Sequence, residues 1–220
     1  MAPARRPPRT RRTHRPLLWA SERMAREMGY QVVAGIDEVG LGPLAGPAVA
    51  AAVVLPIGAR LPGLDDSKKL KPAERERVDR AIRRHAVAIG LGLVGPEVID
   101  RDGLIRARQQ AMRGAVESLQ LSPEYLLVDA WDVPDLALPQ MCVIKGDAVC
   151  ASIMAASIVA KVHRDGLMVE YDRQYPGYGF AVHKGYATRA HQDALRALGP
   201  SPIHRMSWAP IRAVVAAAAT

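Results

Sequence analysis

GIDEVGLGPLAGP, running from Gly35 to Pro47, sets the reading of this 220-residue chain. Asp37 and Glu38 close a strand-length apolar run and stand directly before a loop carrying Gly40, Gly42 and Gly46. Carboxylates beside apolar surface are costly unless their charge is compensated. The stretch therefore implies a site at a strand end, where a metal, a cofactor or only water meets two acids.

On either side, QVVAGIDEV (31–39) and PAVAAAVVL (47–55) read as strands. AVAIGLGLV (86–94) is a third, YLLVDA (125–130) a compact buried strand that stops at an acid, and MCVIK (141–145) a fifth. Helical patterns cover 17–29, 72–84, 96–119 (one helix or a pair, with Pro96 near the start), 147–175 and 188–198. Pro176-Gly177 ends the long fourth pattern. Three early strands on short connections, then strands alternating with helices, specify an α/β fold with a mixed sheet covered by helices.

At 49% hydrophobic, the chain has material for one sizeable core, expected over residues 17–220. No run approaches the roughly 18 apolar residues a membrane span needs, so no membrane association is expected. No apolar run and cleavage site follow the basic start, so the sequence predicts a cytoplasmic protein. Cys142 and Cys150 lack zinc-ligand spacing and are expected as reduced core thiols. Of the net charge of +8, six positive charges come from Arg5, Arg6, Arg9, Arg11, Arg12 and Arg15. Residues 1–16 hold no acid and are proline-rich, so they read as a disordered arm. Such an arm suits a polyanion such as nucleic acid, or is a solvated extension.

Asp37 and Asp129 lie at or near strand ends, and Asp147 opens the long helical pattern after the fifth strand. With Glu38 they place four carboxylates at sheet edges, where α/β sites lie. Like charges at short range raise each other's pKa, and Mg²⁺ or Mn²⁺ is the economical compensation. Two such ions about 3.5–4 Å apart can flank a phosphodiester. Alone, Asp147 also reads as a helix N-cap and Asp129 as an ordinary loop acid. Neighbours in a regular strand face opposite ways, so Asp37 and Glu38 share a metal pair only if the chain leaves strand geometry there.

Gly40-x-Gly42-x-x-Ala45 also fits a dinucleotide-binding fingerprint, but Pro43 and Pro47 stand where that fingerprint needs a helix. The acids at a suitable distance, Asp65 and Asp66, fall in a loop. Asp165 shares a helix face with Asp147 but lies about 27 Å further along a continuous helix, too far for one metal pair. It reads as a structural acid paired with an arginine.

GIDEVGLGPLAGP, DDSKKL, LLVDA, KGD, ASIVAKVHRD, YPGYGFAVHKGY and GPSPIHRMSW, in this order, resemble ribonuclease HII over about residues 17–210. The resemblance implies a ribonuclease H-like fold with a C-terminal helical portion. It implies endonucleolytic, two-metal cleavage of RNA in RNA–DNA hybrids and at single ribonucleotides in duplex DNA. The products would carry a 3′-hydroxyl and a 5′-phosphate, as ribonucleotide excision repair requires. The stretch before DEVG is too short and polar for the extra domain of the related ribonuclease HIII class.

The same resemblance assigns Asp37, Glu38, Asp129 and Asp147 as metal ligands for two Mg²⁺ or Mn²⁺ ions. It assigns Gly40, Leu41, Gly42 and Tyr186 to the ribose 2′-hydroxyl, the group that separates RNA from DNA. Lys68, Lys69, Lys145, His183 and Lys184 are candidate phosphate contacts. Two departures are Leu41, where the family carries arginine between the glycines, and Ala130, where glycine is common. The chain is expected to act as a monomer on hybrid and ribonucleotide-containing duplex, and no clamp-binding peptide is evident in PIRAVVAAAAT.

Overall fold

A computed structural model describes residues 18–218, so the basic arm assigned to residues 1–16 lies outside the described residues. The chain runs α1 (Ala20–Glu27), β1 (Val33–Val39), β2 (Ala48–Val54), α2 (Pro72–His85), β3 (Ala88–Val94) and α3 (Pro96–Glu117). It continues with β4 (Tyr125–Asp129), β5 (Gln140–Val143), α4 (Gly146–Val149), α5 (Ala151–Gln174), α6 (Phe180–His183), α7 (Arg189–Leu198) and α8 (Ala209–Ala218). The five strands form one sheet in the order β3-β2-β1-β4-β5. β1–β2 and β2–β3 pair antiparallel, while β1–β4 and β4–β5 pair parallel. This is the mixed, helix-covered sheet that the sequence predicts.

β2 shows why both faces are covered. Its seven residues, AVAAAVV, are all buried. Val49, Ala51 and Val53 pack with Met154, Ala155 and Ile158 of α5 and with Val78 and Ile82 of α2. Ala48, Ala50, Ala52 and Val54 pack with Ala107, Ala111, Met112 and Ala115 of α3. The period of two thus feeds one core on each side. Gly35 sets how closely α5 crosses the sheet: a Cβ there would run into the backbone of Ser152 and Ile153.

The helical pattern at 147–175 is two helices. Cys150 is extended (φ −119°, ψ 125°) and separates α4 from α5. Cys150 offers α5 no side-chain cap. Instead Glu22, buried on α1, accepts from Ser152 N (2.8 Å) and Ser152 Oγ (2.8 Å). A carboxylate at a helix N-terminus satisfies free N–H groups and complements the dipole, so α1 fixes where α5 starts. α3 is likewise broken, at Gly103 (φ 80°, ψ 166°), which realises the helix pair among the two readings. Cys150 is the buried thiol expected, but Cys142 is exposed because β5 is an edge strand with no buried residue.

Candidate active site

Register brings the first two acids together. β1 and β4 run parallel with Ile36 opposite Val128, so the next residues, Asp37 inside β1 and Asp129 at the end of β4, lie on neighbouring strands. Asp129 Oδ1 accepts from Gly146 N at 2.7 Å, which anchors the start of α4 beside the strand end. Asp147 is the second residue of α4, whose N-cap position belongs to Lys145. Its carboxylate is therefore no cap; it receives Lys68 Nζ at 2.6 Å. DDSKKL reaches the site because Ser67 Oγ meets Ser157 Oγ of α5 at 2.9 Å, both residues buried.

A cavity of about 300 Å³ opens at this strand end, lined in part by Asp37, Glu38 and Asp129. Both Asp37 and Glu38 remain within β1. The chain does not leave strand geometry, contrary to the expectation from a shared metal pair: Asp37 pairs with Ala51 on the α5 side and Glu38 with Ala50 on the α3 side. The cavity caps the strand, so side chains from both faces border it.

Burial raises the Asp37 pKa well above the ordinary carboxylate range, and the charges of Glu38 and Asp129 raise it further, against hydrogen bonds from Ser157 and the Glu38 backbone. Glu38 is raised by burial, opposed first by Arg108. Asp129 is raised by burial and then by Asp147. Three carboxylates with raised pKa values thus crowd one place, offset in part by Arg108 and Lys68. The donors are all hard oxygens, the set that Mg²⁺ and Mn²⁺ take, so the residues present fit a divalent cation. In this conformation no three His, Cys, Asp or Glu side chains among the described residues converge as a ready metal site. Asp147 is turned to Lys68 through Oδ2.

The cavity has a cationic wall that the sequence did not reveal, formed by Arg75 and Lys161 with Lys68. Asp165 Oδ1 accepts from Lys161 Nζ at 2.6 Å, and Arg75 Nη1 lies 3.4 Å from Asp165 Oδ2. Asp165 is thus the structural acid paired with an arginine, and with a lysine besides. The available signal was the spacing of four between Ser157, Lys161 and Asp165 on an otherwise apolar helix face.

The glycine loop lies against two buried arginines. Gly40 has φ +91°, and a Cβ there would strike the Arg164 side chain. Arg164 donates to the carbonyls of Pro47 (3.0 Å), Lys184 (3.0 Å) and Ala45 (3.1 Å). Arg205 donates to Leu41 O (2.7 Å), Gly46 O (2.9 Å) and Gly40 O. The loop's carbonyls are therefore drawn inward, and the Leu41 and Gly42 amides have no protein acceptor among the described residues. A strand follows the loop, which removes the dinucleotide reading.

Gly40, Leu41 and Tyr186 line the acid cavity. Tyr186 is 43% exposed, with Lys161 Nζ 5.9 Å from its ring centroid. Leu41 also packs against the α3-side core. Among the sequence-selected cations only Lys68 lines this cavity. Lys69 lies 3.7 Å from Asp65, Lys145 occupies the left-handed residue before α4, and Lys184 Nζ donates to Ala181 O at 2.7 Å. His183 is buried with both ring nitrogens engaged, Nε2 with Tyr178 O (2.8 Å) and Nδ1 with Gly185 N (3.2 Å), so no nitrogen remains for a phosphate.

Comparison with known proteins gives the family and the fold. Residues 34–211 match the Ribonuclease HII family. The chain is 54% identical over 197 residues to a ribonuclease HII of Geobacter sulfurreducens, covering 90% of this chain and 91% of that protein. The ribonuclease H2 of Pyrococcus horikoshii superposes with a TM-score of 0.72 at 27% identity, covering 84% of this chain and 97% of that one. A Bst-RNase HIII structure in complex with Mn²⁺ shares the fold (TM-score 0.69, 21% identity, 88% of this chain and 72% of that one). The chain belongs to the ribonuclease HII family and is a metal-dependent ribonuclease H, an endoribonuclease of RNA–DNA hybrids.

Proposed function

We propose that the cavity of Asp37, Glu38 and Asp129, completed by Asp147, hydrolyses the phosphodiester at a ribonucleotide, both in hybrids and at a lone ribonucleotide in duplex DNA. The observation that carries this reading is the crowding of three carboxylates with raised pKa values in one cavity with Leu41 and Tyr186. Asp37 and Asp129, side by side on parallel strands, would be the central ligands; Glu38 and Asp147 would complete two coordination shells. Two divalent ions, Mg²⁺ or Mn²⁺, when bound, supply activation of a water and charge stabilisation at the leaving 3′-oxygen.

The remaining work falls to the chain's own groups. The amides of Leu41 and Gly42 and the Tyr186 hydroxyl would hydrogen-bond a 2′-hydroxyl, and the Tyr186 ring would pack on the sugar. Lys68, whose side chain is 78% exposed, would be free to meet a phosphate if Asp147 turned to bound ions. Arg75 and Lys161, held by Asp165, keep the cavity wall positive. The protein is read as a cytoplasmic monomer; no helix among the described residues is long and apolar enough to cross a membrane.

The test is a labelled duplex with one embedded ribonucleotide, incubated with Mg²⁺, Mn²⁺ or EDTA. The reading expects a single cut leaving 3′-hydroxyl and 5′-phosphate with either metal and none with EDTA. Cleavage in EDTA, or equal cleavage of an all-DNA duplex, would refute it.

A further inference from the structure

We propose that Ser201, His204 and His191 form a hydrogen-bond chain of fixed direction that positions Tyr186, and that the neighbouring Arg205 ties the same segment to the glycine loop. His191 and His204 are then positioning residues for discrimination of ribose from deoxyribose. This rests on the reading of Tyr186 given above and extends it to residues far from the acids.

The direction follows from the donors. Ser201 N–H donates to His204 Nδ1 at 2.9 Å, so that nitrogen accepts. A neutral His204 then carries its proton on Nε2, which lies 3.1 Å from His191 Nε2. His191 must accept there and carry its own proton on Nδ1, 2.9 Å from the carbonyl oxygen of Tyr186. The network assigns one tautomer to each ring. Both rings are fully buried or nearly so. Burial lowers the pKa of both, that of His204 to about 4, so the neutral chain persists at neutral pH.

Packing leaves the rings no other use. His183 stacks on His191 at 4.2 Å between centroids, and Phe180 meets both edge-on. All six ring nitrogens of His183, His191 and His204 have protein partners, so the cluster holds none free for a metal. The chain's other end reaches the glycine loop. Arg205 holds the carbonyls of Gly40, Leu41 and Gly46, and His204 makes a backbone bridge with Ala45. Leu44 N donates to Gly185 O at 2.8 Å, joining the two loops directly. The segment 204–205 therefore fixes both halves of the sugar-facing surface.

The test compares His191→Asn with His191→Gln. An asparagine amide falls near the Nδ1 position and keeps a donor for Tyr186 O; a glutamine amide reaches toward His204 and loses it. The readout is affinity for a duplex with one ribonucleotide divided by affinity for the all-DNA duplex of the same sequence, with Ca²⁺ in place of Mg²⁺. His191→Gln is expected to lower this ratio about tenfold, as loss of one buried hydrogen bond allows. His191→Asn should keep it within about twofold of the parent, with all-DNA affinity unchanged in both. Equal ratios in parent and both variants, or an equal fall in both, would overturn the proposal. Should His191 variants fail to fold, His204→Gln (donor to His191 kept) against His204→Asn (donor lost) decides by the same ratio. Tyr186→Ala separates the two levels. If it leaves the ratio unchanged, the reading of Tyr186 and this inference fail together; if it lowers the ratio while His191→Gln does not, this inference alone fails.

Discussion

Asp37 is buried among like charges, and its raised pKa has a stability consequence whose sign can be worked out. Below the ordinary carboxylate range, about pH 4, the group is protonated in folded and unfolded chains alike and contributes nothing. As pH rises, the unfolded chain releases the proton first, so folding loses free energy until the raised folded pKa is passed. Asp37→Asn should therefore abolish turnover yet raise the unfolding midpoint of the metal-free protein at neutral pH by ~2–4 °C per kcal/mol relieved. That advantage should shrink toward pH 4. A thermal scan of both proteins across pH checks this, and an advantage that grows on acidification would contradict it.

Leu41 is the other residue with a separable role. It borders the acid cavity and lines an apolar groove with Ile105 and Trp131. Leu41→Arg should tighten substrate binding more at low salt than at high salt, because an added phosphate contact steepens the salt slope by about 1. Binding isotherms at several ionic strengths measure it; an unchanged slope would mean no phosphate passes this position. At this scale the meeting of Asp37, Glu38 and Asp129 in one cavity was legible, because acids that interrupt or close apolar strand runs stand out in the sequence. Where the cations point was not. Lys184 and Lys145 sit in left-handed backbone conformations, and His183 is turned inward by two backbone partners, which no local pattern records.

Among the elements, α5 packs closely across β1, the strand that carries Asp37 and Glu38. Gly35 lets the start of α5 cross β1 where any side chain would collide with Ser152. Gly35→Ala is expected to cost about 1–3 kcal/mol, as overpacking does. It should also lower turnover beyond what unfolding explains, because Ser157 and Asp37 lie on the displaced surfaces. Denaturant midpoints set beside activity at low temperature separate these effects; full stability with full activity would refute the role of Gly35. The strands were legible from apolar runs bounded by glycine, proline and polar loops. The break at Cys150 was not, since the acid that caps α5 is Glu22, 130 residues earlier in the chain. The helix at 209–218 also went unread within an alanine-rich tail that carries no capping residue or terminating glycine.

For the whole molecule, the fold serves to bring unlike elements to one strand end. β1 and β4 supply Asp37, Glu38 and Asp129; the short α4 supplies Asp147; the loop before α2 supplies Lys68; and α5 carries Ser157 and Lys161. The C-terminal part, through Arg205, His204 and His191, supports the sugar-facing loops from behind. The resemblance in the sequence names these residues one by one, while the Lys68–Asp147 ion pair emerges only in three dimensions. The most direct measurement is the anomalous scattering of a crystal soaked in Mn²⁺. The account predicts two manganese peaks bounded by Asp37, Glu38, Asp129 and Asp147, with Lys68 released from Asp147. A soaked crystal with no peak between these carboxylates, and Asp147 still on Lys68, would contradict it.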